Sequence, residues 1–86
     1  MLMHEKTIRA LVEAGAVKKV RIVAHGAAIH VDIVTKNDVV TATTLKGAIK
    51  IWVTIDASTK WVKNLGIGRI ELIVDKWLPD QKGLKI

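Results

Sequence analysis

Five residues of this chain could together meet a polyanion: Lys19, Arg21, Lys50, Trp52 and Arg69. Lysine and arginine neutralise phosphates and release condensed counterions, while an indole can stack on a base or anchor a protein partner. The densest run is Lys18-Lys19-Val20-Arg21, and Lys6 could join the same surface. Eleven of the fourteen basic residues are Lys and three are Arg. Bidentate reading of base edges leans on Arg, so this composition disfavours sequence-specific recognition.

Other chemistry has less to work with. His25 and His30 flank a turn and His30 shares a strand face with Asp32, but no His-x₃-His or thiolate completes a set of ligands. A metal needs three or four donors converging at about 2.0–2.2 Å, so no metal and no cofactor is expected. Gly66-Ile67-Gly68 matches part of a phosphate-binding glycine loop. That fingerprint needs a strand before it and a helix after it, whereas here a helix precedes and a strand follows. Ser58, the lone serine, falls in the first turn of an expected helix, where it would assist the cap. Carboxylates form no evident pair, and a chain this short leaves little room for a pocket of roughly 300 Å³. We therefore expect no enzymatic activity and no small-molecule substrate.

The elements that would position these residues follow from periodicity. Residues 4–14 read as a helix, with Ile8, Leu11 and Val12 on one face and Gly15 as its left-handed stop. From Val17 the period becomes two: Val20, Ile22 and Ala24 alternate with Lys19, Arg21 and Val23. A turn at His25-Gly26-Ala27 leads to Ile29, Val31 and Ile33, and Lys36-Asn37-Asp38 marks the next turn. The β-branched run 39–45 reads as a third strand, and the turn at Lys46-Gly47 opens onto a fourth, Ile49–Ile55. Asp56 fits the N-cap of a helix Ala57–Leu65 carrying Trp61 on its apolar face, closed by Gly66, and Arg69–Val74 reads as a last strand.

The expected fold class is α+β, in the order α-β-β-β-β-α-β. The sheet is expected to be mostly antiparallel, with both helices packed on one face. Alternation then leaves Lys19, Arg21, Lys50, Trp52 and Arg69 opposite that face, beside His30, Asp32, Thr54 and Glu71. Trp61 reads as core; Trp77 reads as capping the sheet edge or contacting a second subunit. One domain spans 1–77, and 78–86 reads as a loose tail. Uncharged throughout, the 39–45 run would be a poorly protected edge if peripheral, and would favour a homodimer.

Composition sets the outer limits. The chain has 86 residues, half of them hydrophobic, no cysteine and a formal charge of +6. It is too apolar for disorder and has no thiols for disulfides or zinc. Its longest stretch without a charged side chain, Ile22–Val31, is far shorter than the roughly 20 residues of a membrane span. Its first residues lack the basic and apolar regions of a secretory signal. A soluble cytoplasmic protein without membrane contact is the resulting expectation.

Two stretches carry a family resemblance. Arg9-Ala10-Leu11-Val12-Glu13-Ala14-Gly15-Ala16-Val17 and Leu65-Gly66-Ile67-Gly68-Arg69-Ile70-Glu71 resemble the opening and closing motifs of small ParC-type plasmid partition-associated proteins, which are distinct from the topoisomerase subunit of that name. Between them, Trp52 to Ile67 is similar to the family's pattern of an aromatic, an aliphatic-Asp pair, an aromatic-aliphatic pair and Leu-Gly-Ile. The similarity spans residues 8–76. It implies a non-enzymatic accessory protein of plasmid or mobile-element maintenance with no active site to carry over; the basic residues and Trp52 add DNA or a DNA-bound protein as the expected partner. This chain departs in lacking the aromatic residues and basic strand often found mid-sequence. Two readings stand side by side: nucleic-acid contact through a basic sheet face, and a homodimeric protein-interaction module. A toxin–antitoxin component or phage-derived inhibitor is a third, minor one.

Overall fold

Local chemistry sets most element boundaries. The computed structural model describes residues 2–78. A short strand β1 (Leu2–His4) runs into helix α1 (Glu5–Glu13), where His4 is the N-cap and its Nδ1 accepts the Lys6 N–H at 3.2 Å. Gly15 ends α1 at φ 72°, in the left-handed region that a side chain disfavours. Strands β2 (Val17–Gly26) and β3 (Ala28–Thr35) form the hairpin expected around Gly26, and β4 (Val39–Thr43) follows the Lys36–Asp38 turn. Helix α2 (Ile55–Asn64) and strand β5 (Ile70–Trp77) complete the fold.

The class is α+β, and the sheet is mixed rather than mostly antiparallel. Its strand order is β1-β4-β3-β2-β5. β1 pairs parallel with β4 and β5 pairs parallel with β2, so β3 alone runs against the other four. The physical reason lies in the helices. A helix laid back across a sheet returns the chain to the end from which it left, so the strands on either side of it run the same way. α1 does this between β1 and β2, and α2 between β4 and β5.

Further expectations change. β1 adds a strand before the first helix, and it lies against Thr41–Thr43, so β4 is interior there rather than a free edge. Ile49–Ile55 is not a strand. β3 and β4 pair only from Asp32 to Val34 and then splay, and residues 49–52 enter the gap through single bridges Thr43–Ile49 and Ile29–Trp52. The Lys50 N–H donates to the Ala42 carbonyl at 3.0 Å, and Ile29 and Trp52 exchange N–H···O bonds of 3.1 and 2.8 Å. α2 then starts earlier than expected: Thr54 Oγ1, not Asp56, caps it by accepting the Ala57 N–H at 3.1 Å. Asp56 instead pairs with Lys60 one turn on, at 3.2 Å.

Both helices feed one core. Ile8 of α1 and Val62 of α2 are fully buried with Val20, Ile22, Ile29, Val31, Ile33, Val40 and Ala42 from the alternating positions of β2, β3 and β4. Ser58 is also fully buried, its hydroxyl donating to the Ile55 carbonyl at 2.8 Å, so it lies under the helix rather than at the cap. The expected tail, apart from Leu78, lies outside the described residues. Leu78 itself is tied to the sheet by its N–H on the Gly26 carbonyl at 2.7 Å. No described helix is long and apolar enough to cross a membrane.

The connection between α2 and β5 offers a direct check of backbone dependence. Gly66 stands at φ 95°. Gly66→Ala is expected to cost about 1–2 kcal/mol, because an L side chain is strained there. A Cβ at Gly68 would meet nothing within 4 Å and the backbone is not left-handed, so Gly68→Ala should change stability by less than about 0.5 kcal/mol. Thermal unfolding of the two variants side by side measures the contrast.

Candidate interaction surfaces

The five residues proposed to share one surface lie in two places. Lys19 and Arg21 project from the helix-free face of β2 toward Glu71, which β5 places directly opposite Arg21. Arg21 Nε donates to Glu71 Oε1 at 3.0 Å and Lys19 Nζ lies 3.7 Å from the same oxygen. Arg69, just before β5, is exposed and forms no ion pair among the described residues.

Lys50 and Trp52 are elsewhere. The Trp52 ring is half-buried against the core, 5.0 Å from the Trp61 ring at an interplanar angle of 54°, and Lys50 Nζ sits 5.3 Å from the Trp52 ring centroid. Trp61 Nε1 donates to Glu5 Oε1 at 3.1 Å, and Arg9 Nη2 donates to Glu5 Oε2 at 2.8 Å. Arg9 also reaches the Asn64 carbonyl at 3.2 Å. A clamp therefore joins residues 50–52 to both helices. The placement of Trp52 among exposed lysines on the helix-free face is overturned: it packs against the core beside Trp61. Trp61 is half-buried against the core with its N–H paired, and Trp77 ends β5 half-buried against the same core.

The clamp has a pH signature. Arg9 and the Trp61 N–H both hydrogen-bond the Glu5 carboxylate, holding its pKa below the ordinary glutamate value. A carboxylate favoured in the folded state stabilises fully above its unfolded pKa and loses that contribution as pH falls through the folded one. Because Glu5 is largely exposed, solvent screens the effect and it is small. Glu5→Gln should therefore flatten the acid limb of a Tm-against-pH profile and leave the neutral-pH slope unchanged.

Inverting Trp52 inverts its neighbours. Leu45 and Val53 are 83% and 84% exposed, and Ile49 and Ile51 about half exposed. Ile49, Ile51 and Val53 share one side of the chain and Lys50 and Trp52 the other. The large indole, packed beside Trp61, decides which side meets the core. The result is an aliphatic strip on one short segment, the kind of exposed apolar surface that marks a docking site.

The histidines serve local geometry. His4 caps α1; His30 Nε2 lies 3.4 Å from Asp32 Oδ1, which also accepts the Thr41 hydroxyl at 2.8 Å. His25 is exposed at the end of β2. No group of three or more metal-ligating side chains occurs among the described residues. Gly66-Ile67-Gly68 is a helix stop leading into β5. It lines a cleft of about 300 Å³ together with Lys18, Lys19 and Arg69. Lys18 occupies the register shift between Val17 and Lys19 on β2, a bulge that redirects a side chain. A larger cleft, about 660 Å³, opens between Leu11, Ala16, Met3 and Val40 with Lys18 and Lys36 among its walls. Little room was expected for a pocket in so short a chain; the cleft of this size lies beside α1 and is open to solvent. Comparison with protein families, curated proteins and solved structures finds no match to this chain.

Proposed function

We propose that this chain is a non-enzymatic accessory protein of plasmid or mobile-element maintenance, working as a protein-docking module. The observation that carries the docking is the exposure of Leu45, Ile49, Ile51 and Val53 on one segment, while Lys19 and Arg21 are occupied by Glu71. The assignment to mobile-element maintenance rests on the resemblance of residues 9–17 and 65–71. In the structure those residues form the α1–Gly15–β2 and α2–Gly66–β5 connections.

Two tests apply. The gene should lie among partition or conjugation genes, and a neighbourhood without them removes the maintenance assignment. In a plasmid-retention assay without selection, Ile51→Lys with Val53→Lys should abolish the contribution of the gene while circular dichroism shows a folded protein. Full retention with that double variant defeats docking through the strip.

A second reading is favoured by Lys18 and Arg69, which line the cleft beside Gly66–Gly68 and form no ion pair among the described residues. Nucleic-acid phosphate would bind there, with affinity falling steeply as salt rises. Fluorescence polarisation of labelled duplex and single-stranded DNA across salt separates the readings. Docking alone predicts no binding at physiological ionic strength; a salt-dependent signal lost in Lys18→Glu or Arg69→Glu supports phosphate contact.

A further inference from the structure

Helix α1 is anchored in the core at Ile8, its one fully buried residue. One turn on, Leu11 is only half-buried, and it lines the cleft of about 660 Å³. The other apolar walls are Met3 of β1, Ala16 and the buried Val40 of β4. Small-molecule sites occupy about 300–1,000 Å³ and are lined mainly by apolar side chains with a few polar groups that fix orientation. This cleft fits that description in both size and lining.

The charges at its rim identify what fits. Lys18 and Lys36 both line the cleft, both are exposed, and neither forms an ion pair among the described residues. The Val17–Thr35 pair brings their strands together at this end of the sheet, and Lys18 stands in the register shift between Val17 and Lys19, outside the ladder. The turn that carries Lys36 is held in place. The Thr35 N–H and hydroxyl donate to the Asp38 carbonyl at 2.8 and 3.2 Å, and the Asp38 N–H donates to Thr35 Oγ1 at 3.1 Å. A rim fixed in advance loses little freedom on binding. Asp38 is the third charged residue on the cleft, so two ammonium groups stand against one carboxylate and leave a net charge of +1. One positive charge beside an aliphatic floor complements a molecule with an apolar chain and a single negative charge. A dianion would exceed the charge, and a neutral hydrocarbon would leave both lysines unused.

We propose that this cleft is a binding site for a medium-chain aliphatic carboxylate, with its chain against Met3, Leu11 and Val40 and its carboxylate held by Lys18 and Lys36. This goes beyond protein docking through residues 45–53, none of which lines the cleft.

An amide-resolved NMR titration of the full chain with octanoate and decanoate tests it. Decanoate should bind saturably with a Kd of about 1 mM or tighter, shifting the amides of Leu11, Ala16, Lys18, Lys36 and Val40. Octanoate should bind more weakly, by up to about fourfold for each methylene removed. Lys36→Glu and Lys18→Glu, both at exposed positions, should each weaken decanoate about three- to tenfold in a protein whose spectrum is still that of the folded chain. The decylammonium cation, with the same chain length, should bind at least about tenfold more weakly than decanoate. Arg69→Glu and Ile51→Lys should bind decanoate as the wild-type chain does. Those two variants separate this site from the cleft beside Gly66–Gly68, which shares Lys18, and from the docking strip. Absence of saturable binding overturns the proposal, as do shifts centred on residues 45–53. Equal affinity for the two chain lengths or for the cation, or wild-type affinity in Lys36→Glu, overturns it as well.

Discussion

Ile8→Ala is expected to lower the unfolding free energy by about 2–5 kcal/mol, the range for truncating a fully buried aliphatic to alanine. Ile8 is the one fully buried residue of α1, and it joins the core formed by β2, β3 and β4. Removing its side chain opens a cavity under a helix whose other apolar residues, Leu11 and Val12, are only half-buried. Small domains have total stabilities of about 5–15 kcal/mol, so the variant should unfold at a much lower urea concentration. The denaturant slope should stay constant if only stability changes. Glu13→Ala, on the exposed face of the same helix, serves as control and should move the transition by less than about 0.5 kcal/mol. Equal shifts in the two variants would mean that α1 is not held by Ile8.

Trp52→Ala should cost about 2–4 kcal/mol, somewhat less than a fully buried tryptophan because the ring is only partly buried. Part of that loss is the tilted contact with Trp61, worth about 0.5–1.5 kcal/mol for aromatic pairs. Near-UV circular dichroism should lose intensity in the folded variant, because two indoles 5.0 Å apart give up their fixed mutual orientation. Trp52→Phe should retain most of the stability. A variant with wild-type stability and impaired partner binding would return Trp52 to the role of a contact residue. The present geometry makes it a support for the segment that displays Ile49 and Ile51.

Much of the fold was legible because it is determined locally. The 3.6-residue period of Ile8, Leu11 and Val12, the left-handed stop at Gly15, the alternation of β2 and β3 around Gly26 and the stop at Gly66 all act within a few residues. What escaped depends on distant partners. Leu2–His4 is too short to show a period, and only its pairing with Thr41–Thr43 makes it a strand. Residues 49–55 alternate like a strand, but β3 and β4 leave room for just two bridges. The candidate surface fared likewise. Alternation correctly grouped Lys50 with Trp52 and Lys19 with Arg21, and it also set Glu71 among them. It could not tell that Glu71 would bind the second pair, or that Trp61 would draw the first toward the helices.

The pairing of β5 with β2 has a consequence for the order in which the chain takes shape. Arg21 and Glu71 touch across 50 residues of sequence, whereas β2, β3 and β4 are joined by short turns. Closing a long loop carries an entropic cost that local hairpins avoid, so the hairpins are the natural early structure. As the chain emerges from the ribosome, β1 through β4 are all synthesised before the first residue of β5 exists. Until β5 arrives, the Val20–Val23 edge of β2 is open in the nascent chain. A truncation or stalled product ending within α2 would present that edge to whatever strand it met, and β5 is therefore the strand that covers β2 against mispairing.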